Sequence, residues 1–268
     1  MQVMNRFLAR ACAVAAAGVA LSTVMVTAAS ASGGGGIPAR PGAFGPAGLV
    51  AGSGGLTIPR ARAASVNNTR TFAGYGTAVT VGSATTVTAT FTVPALSCIP
   101  PDLGILPAVF EGVNRNLLLT AAGVAVKCES DKAVYFPALV INGVGTPFRT
   151  SPFAAGDVIN LSASVTTTAT TVQVTDVTKN VTKTLTGAGA RPHAAFIGDL
   201  PWFSNKGALL GVPNYGKLKF TNCQIDGTAL QSLNPQQFQR VNAKGKVQIA
   251  TGPFSPAPAA FATYFKHS

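Results

Sequence analysis

Beyond residue 65, threonine and valine recur with a period of two, as in Thr85–Val93 and Val158–Val165. Such a chain puts alternate side chains on opposite faces of an extended backbone and cannot present one apolar stripe at helical spacing. Thr77–Val81 and Thr171–Val177 repeat the pattern, and Gly, Asn, Asp and Pro punctuate it at roughly 8–12-residue intervals. This predicts an all-β domain of antiparallel strands. Turns are expected at Asn142-Gly143, Ala155-Gly156-Asp157, Asn214-Tyr215-Gly216 and Lys244-Gly245. The last is a hairpin between Arg240-Val241 and Val247-Ile249. Roughly 200 residues share this texture, a length that one sandwich can fill.

The first 31 residues differ. Arg6 and Arg10 precede an apolar run, Ala11 to Thr27, and Ala29-Ser30-Ala31 supplies small residues for cleavage. Residues 1–31 are therefore expected to be an export signal that is removed, leaving no membrane span in the mature chain. Residues 32–64 are Gly, Pro and Ala with little large apolar surface. Such a segment cannot offset its ordering entropy and is expected to be a disordered linker. Residues 65–268 form the expected sandwich domain. The alanine-rich leader points to a secreted or cell-wall-associated bacterial protein. The sequons at Asn67, Asn160 and Asn180 would then be idle.

The whole sequence carries a net charge of +12. With Arg6 and Arg10 removed, 18 basic side chains face 8 acidic ones. The excess suits weak attraction to anionic cell-wall polymers. The basic residues are scattered and not interleaved with aromatics, so no specific nucleic-acid partner is expected, and the chain is expected to be a monomer. Three cysteines follow the leader: Cys98, Cys128 and Cys223. An odd count leaves one thiol over, and the pairing stays open on sequence alone. Cys98 and Cys128 flank the stretch Ala108–Val126 and are the favoured pair, with Cys223 buried and reduced. Their spacing does not suit zinc; no metal or cofactor is expected.

Several segments in order are similar to one known family. Phe72-Ala73-Gly74-Tyr75 resembles a Trp-Ala-Gly-Tyr opening, and Val87–Pro94 resembles a Val-x-Gly-x-Trp-x-Val-Pro strand. Phe110-Glu111-Gly112-Val113-Asn114 resembles Trp-x-Gly-Ile-Asp, and Phe153–Ile159 a Pro-Gly-Asp-x-Ile segment. Asn214–Cys223 is similar to Asn/Asp-Phe-Gly-x-Val-x-Phe-Thr-x-Cys, and Val241–Phe265 to a closing hairpin and strand. The family is the eqolisins, the glutamic peptidases, and the resemblance spans about Asn68 to Phe265. It implies a sandwich of two bent antiparallel sheets, the architecture of concanavalin A-like lectins and glucanases. In active members a Glu takes a proton from the attacking water, and a Gln facing it across the concave sheet donates to the oxyanion.

Mapped residue by residue, the Gln falls on Ala121 in Leu119-Thr120-Ala121-Ala122-Gly123. The Glu falls on Ala195 in Ala195-Phe196-Ile197-Gly198-Asp199-Leu200-Pro201. Both catalytic groups are missing while the framework is kept, which implies a non-catalytic relative. The fallback carboxylates are Glu111 and Asp199. Asp199 lies on the strand parity of Ala195, ~13 Å away. Phe110, Asn114, Tyr135, Phe136, Phe196, Trp202 and Phe203 are candidates to line a groove for an extracellular peptide or glycan, although for any one of the aromatics a place in the sandwich core is the favoured alternative. The expected function is binding, or a structural role at the cell surface. The alternative is an acid endopeptidase using displaced carboxylates.

Overall fold

A computed structural model describes residues 66–99, 103–113, 118–150, 153–202, 209–255 and 259–267. The expected export signal and linker, Asn114 and Phe203 lie outside these residues. The described residues form strands β1 (Asn67–Thr69), β2 (Ala73–Ala78), β3 (Thr85–Thr92), β4 (Gly104–Val113), β5 (Leu118–Glu129) and β6 (Lys132–Ile141). Then follow β7 (Val144–Pro147), β8 (Val158–Val165), β9 (Ala169–Asp176), β10 (Val181–Ala188) and β11 (Pro192–Pro201). The last are β12 (Lys217–Ile225), β13 (Thr228–Ala229), β14 (Gln236–Val241), β15 (Val247–Thr251) and β16 (Phe261–Phe265). The only helical element among the described residues is a 3-10 turn at Leu230–Leu233.

The alternation seen in the sequence becomes a two-faced strand. Val87, Ala89 and Phe91 of β3 point inward, as do Ile159, Leu161 and Ala163 of β8 and Val172 and Val174 of β9. The intervening threonines and serines point outward. Turn residues act where the backbone demands them. Asn142 (φ 51°) and Gly143 (φ 80°) form the two-residue loop between paired Ile141 and Val144, the left-handed pair that matches hairpin twist. Lys244-Gly245 closes β14 onto β15, with the Gly245 N–H donating to the Asn242 carbonyl.

Hydrogen bonding joins the strands in the order β10-β9-β8-β3-β12-β16-β15-β14-β2-β11-β4-β5-β6-β7. The two layers of the all-β sandwich are therefore parts of one continuous curled sheet. β10-β9-β8-β3-β12 make the first layer and β2-β11-β4-β5-β6-β7 the second, with β14, β15 and β16 carrying the path round the bend. β5 and β6 pack across onto β9, and β4 onto β8. Among the described strands every pairing is antiparallel except that of β1 with β14.

Two large apolar clusters result, with a small third one of Cys98, Leu103 and Cys128. One fills the space between layers and contains Phe91, Phe220, Val109, Val124 and Ile197. The other lies on the opposite face of the second layer and contains Phe72, Phe110, Phe136, Phe196 and Trp202. β4, β5 and β11 are thus buried on both faces. Beside β5, Cys98 and Cys128 are joined with Cα atoms 5.4 Å apart, inside the ~7 Å limit for a bridge. Cys223 is buried and free.

Candidate functional site

Directly paired residues of antiparallel strands share a face of the sheet. Ala121 pairs with Phe110, Phe110 with Phe196, and Phe196 with Gly76. That row lies on the face away from the inter-layer core. The next row runs Thr120, Glu111, Ala195 and Thr77, and Ala195 belongs to the inter-layer core. Ala121 and Ala195 consequently sit on opposite faces, and the expectation that they face one another is corrected. Ala194, paired with Gly112, shares the face of Ala121. A register shift between Pro192 and Ala194, at His193, sets which of the two alanines points where.

The face bearing Ala121 and Ala194 is occupied by the chain's own rings. Phe110 stacks on Phe196 with centroids 4.8 Å apart, and Phe72 meets both edge-on at 5.1 and 5.5 Å. Phe136 meets Trp202 edge-on at 5.6 Å. Glycine makes room for them: a Cβ on Gly76 would lie 2.2 Å from the Phe196 ring, and one on Gly198 2.7 Å from the Phe72 ring. Phe110, Phe136, Phe196 and Trp202 are fully buried. They form a packed core cluster and line no exposed groove. Two small residues, Ala121 (0% exposed) and Ala194 (6% exposed), are buried among them. Tyr135 points the other way, half-buried against the inter-layer core.

At the far end of β5 a charged group closes this cluster. Lys127 lies over the Trp202 ring and Arg149 over the Phe136 ring. Both hold Glu129, at 2.8 and 3.0 Å, and they keep its carboxyl below the usual range. Glu129 stands eight residues from Ala121 along β5, ~26 Å at 3.3 Å per residue. It cannot serve chemistry at Ala121.

The two fallback carboxylates point into the inter-layer side. Glu111 is 0% exposed, and neither carboxyl oxygen has a hydrogen-bond partner. Burial, aided by repulsion from Asp226, pushes it up to about 9, so it is a neutral acid in the fold. Asp199 is also 0% exposed. The Tyr215 hydroxyl donates to its Oδ2 at 3.0 Å and lies 3.4 Å from the Thr263 hydroxyl. Burial raises Asp199 to about 7, while Thr263, Tyr215 and the Arg240 guanidinium pull the other way. Arg240 is itself lowered to about 10 by burial and donates to the Leu210 carbonyl at 3.2 Å. Tyr215, Thr263 and Arg240 were not singled out from the sequence. The signal was Asp199, a charge set in the otherwise apolar run Phe196–Pro201 that needs a partner; Arg240 stands among glutamines and an asparagine and carries no such mark.

Among the described residues, no group of three or more His, Cys, Asp or Glu side chains could hold a metal ion. Likewise, no helix among them is long and apolar enough to cross a membrane.

The model of the Peptidase A4 family matches residues 70–253. No curated protein matches the chain in sequence. Among solved structures, scytalido-glutamic peptidase with a transition-state analogue inhibitor is similar at TM-score 0.57 and 16% identity, over 73% of this chain and 100% of that one. SCP-B, an eqolisin in complex with the tripeptide Ala-Ile-His, is similar at TM-score 0.54 and 15% identity, over 73% and 100%. At such identities the likeness is one of fold.

Proposed function

The chain belongs to the Peptidase A4 family, and from that premise we propose that it is an exported, non-catalytic member that binds an extracellular peptide or polysaccharide, or serves structurally at the cell surface. One observation carries this reading. The face holding Ala121 and Ala194 is lined by alanine, glycine and stacked phenylalanine, and both nearby carboxylates, Glu111 and Asp199, point away from it. Peptide hydrolysis of the glutamic type needs a base for the attacking water and a donor for the oxyanion. Without the donor, turnover falls ~100 to 1,000-fold, and without the base a further ~100 to 10,000-fold.

Glu111 does not replace the base. A carboxyl that stays protonated to about 9 takes no proton from water at acid pH, and its burial keeps it from substrate. Asp199 is bound to Tyr215 inside the core. A peptide as ligand is suggested by the complexes of the similar structures, one with a transition-state analogue and one with a tripeptide.

The test is hydrolysis of denatured casein between pH 2 and pH 5 by the secreted protein. No cleavage above background is expected. Robust cleavage, abolished by Glu111→Gln or Asp199→Asn, would establish the displaced-carboxylate peptidase instead.

A further inference from the structure

We propose that the outer face of the first layer is a docking surface for an uncharged polysaccharide. This deepens the binding role above and rests on that reading for its biological setting only. The register sets neutral polar side chains in three rows across the layer. One row runs Thr182, Thr175, Asn160 and Thr90; the second Thr184, Gln173, Ser162, Thr88 and Gln224; the third Thr186, Thr171, Ser164 and Thr86. None of these residues is buried.

The chemistry of the grid is selective. The protein has a strong basic excess, yet no Lys, Arg, Asp or Glu stands in the rows. The nearest basic groups on β12, Lys217 and Lys219, lie at one end. Every member is a hydroxyl or a carboxamide, able both to donate and to accept. That suits vicinal sugar hydroxyls, which do both, and suits neither a polyanion nor an apolar peptide.

Two further features make it more than a solvated sheet. The side chains hold one another: Thr86 and Ser164 at 3.0 Å, Thr90 to Asn160 at 2.8 Å, Gln173 to Thr184 at 3.1 Å, Thr175 and Thr182 at 3.1 Å. A ligand therefore meets groups already ordered, which lowers the entropic cost of binding. Secondly, β12 slips its register against β3 between Thr221 and Gln224. There Asn222 takes a left-handed φ of 52° and donates to the Thr90 hydroxyl at 3.4 Å. Bulges of this kind re-aim side chains, and this one sets Asn222 and Gln224 together on the outer face. They rim a shallow depression of about 300 Å³ whose other walls include Thr88, Asn160, Ser162 and Gln173. That volume is at the lower end for small-ligand sites.

The experiment is native affinity electrophoresis of the secreted protein in gels holding hydroxyethylcellulose, xylan, dextran or the polyanion alginate, at low and high salt. Retardation by at least one neutral polymer, insensitive to salt, is expected. The variant Gln173→Ala/Gln224→Ala alters only non-buried side chains and should weaken that retardation at least tenfold with an unchanged melting temperature. Lys217→Ala/Lys219→Ala should not. No retardation by any neutral polymer overturns the proposal, as does neutral-polymer binding untouched by the glutamine variant. Retardation by alginate alone, lost at high salt, also overturns it. Casein hydrolysis would refute the non-catalytic reading and leave this surface standing, so the two failures are told apart.

Discussion

Glu111 and Ala195 stand directly opposite one another on β4 and β11, on the inner side of the second layer. Their Cβ atoms are then ~5 Å apart, and both residues are 0% exposed. A carboxylate at 195 would share a dry site with one already unpaired.

That geometry separates two substitutions one residue apart. Ala195→Glu should destabilise the protein by at least about 2 kcal/mol, since two like acids would be buried together. Ala194→Glu should cost less, lying on the other face with no acid opposite. Urea unfolding compares them. Combined with Ala121→Gln, only Ala194→Glu puts an amide and a carboxylate on one face, and because packed rings cover that face no casein hydrolysis is expected of either double variant. Activity in the Ala121→Gln/Ala195→Glu protein would contradict the register.

Glu111 also dictates a pH dependence. The unfolded chain releases this proton near 4.5, while the folded one keeps it to about 9. Between those values the unfolded state binds fewer protons, so stability falls as pH rises, by up to about 1.4 kcal/mol per pH unit. Asp199 adds a similar fall between 3.8 and about 7. Glu111→Gln should remove the first component, gaining about 2–4 kcal/mol at pH 8 and little at pH 4.5. Denaturant midpoints at the two pH values test this. Parallel curves for variant and parent would show that Glu111 is not a buried neutral acid.

Tyr215→Phe removes the hydroxyl that donates to Asp199. The expected loss is about 1–3 kcal/mol. It should be larger at pH 8 than at pH 5, because Asp199 titrates near 7 and a donor matters more to the ionised carboxyl. A loss equal at both pH values would mean that Asp199 stays in one protonation state.

Cys98 and Cys128 are 30 residues apart in sequence. Replacing both with serine should lower stability by about 2–4 kcal/mol. Cys223, buried and raised to about 12, should resist thiol reagents until the protein unfolds. Rapid labelling of the native protein at neutral pH would contradict its burial.

Where one face met solvent, the strands were legible. Val158–Val165 coincides with β8, and Thr85–Val93 overlaps all of β3. β2 was placed too late, at Thr77–Val81, because Gly74 and Gly76 have poor strand propensity. Gly74 lets the β11 backbone at Ile197 come close and Gly76 admits the Phe196 ring, needs that only the folded neighbours reveal. β4, β5 and β11 read as continuous apolar runs because both faces are buried, and such runs conceal their period. Hence the apolar runs could not show on which face Ala121, Ala194 and Ala195 lie. The choice turns on the irregularity at His193, which no motif marks.

The continuous path of the sheet also orders events in time. β4 to β7 and β8 to β10 each pair with sequence neighbours and can form as soon as they are made. β2 cannot: its partners are β11 and β14, and β3, which can pair with β8 on one edge, waits for β12 on the other. The earliest strands of the domain are thus completed by the latest, joining segments such as Asn67 and Gln237, 170 residues apart. Long-range closure of this kind is slow, so two meanders should gain amide protection first during refolding, with β2 last. A ribosome-bound fragment ending before residue 236 would still leave the edge of β2 unpaired.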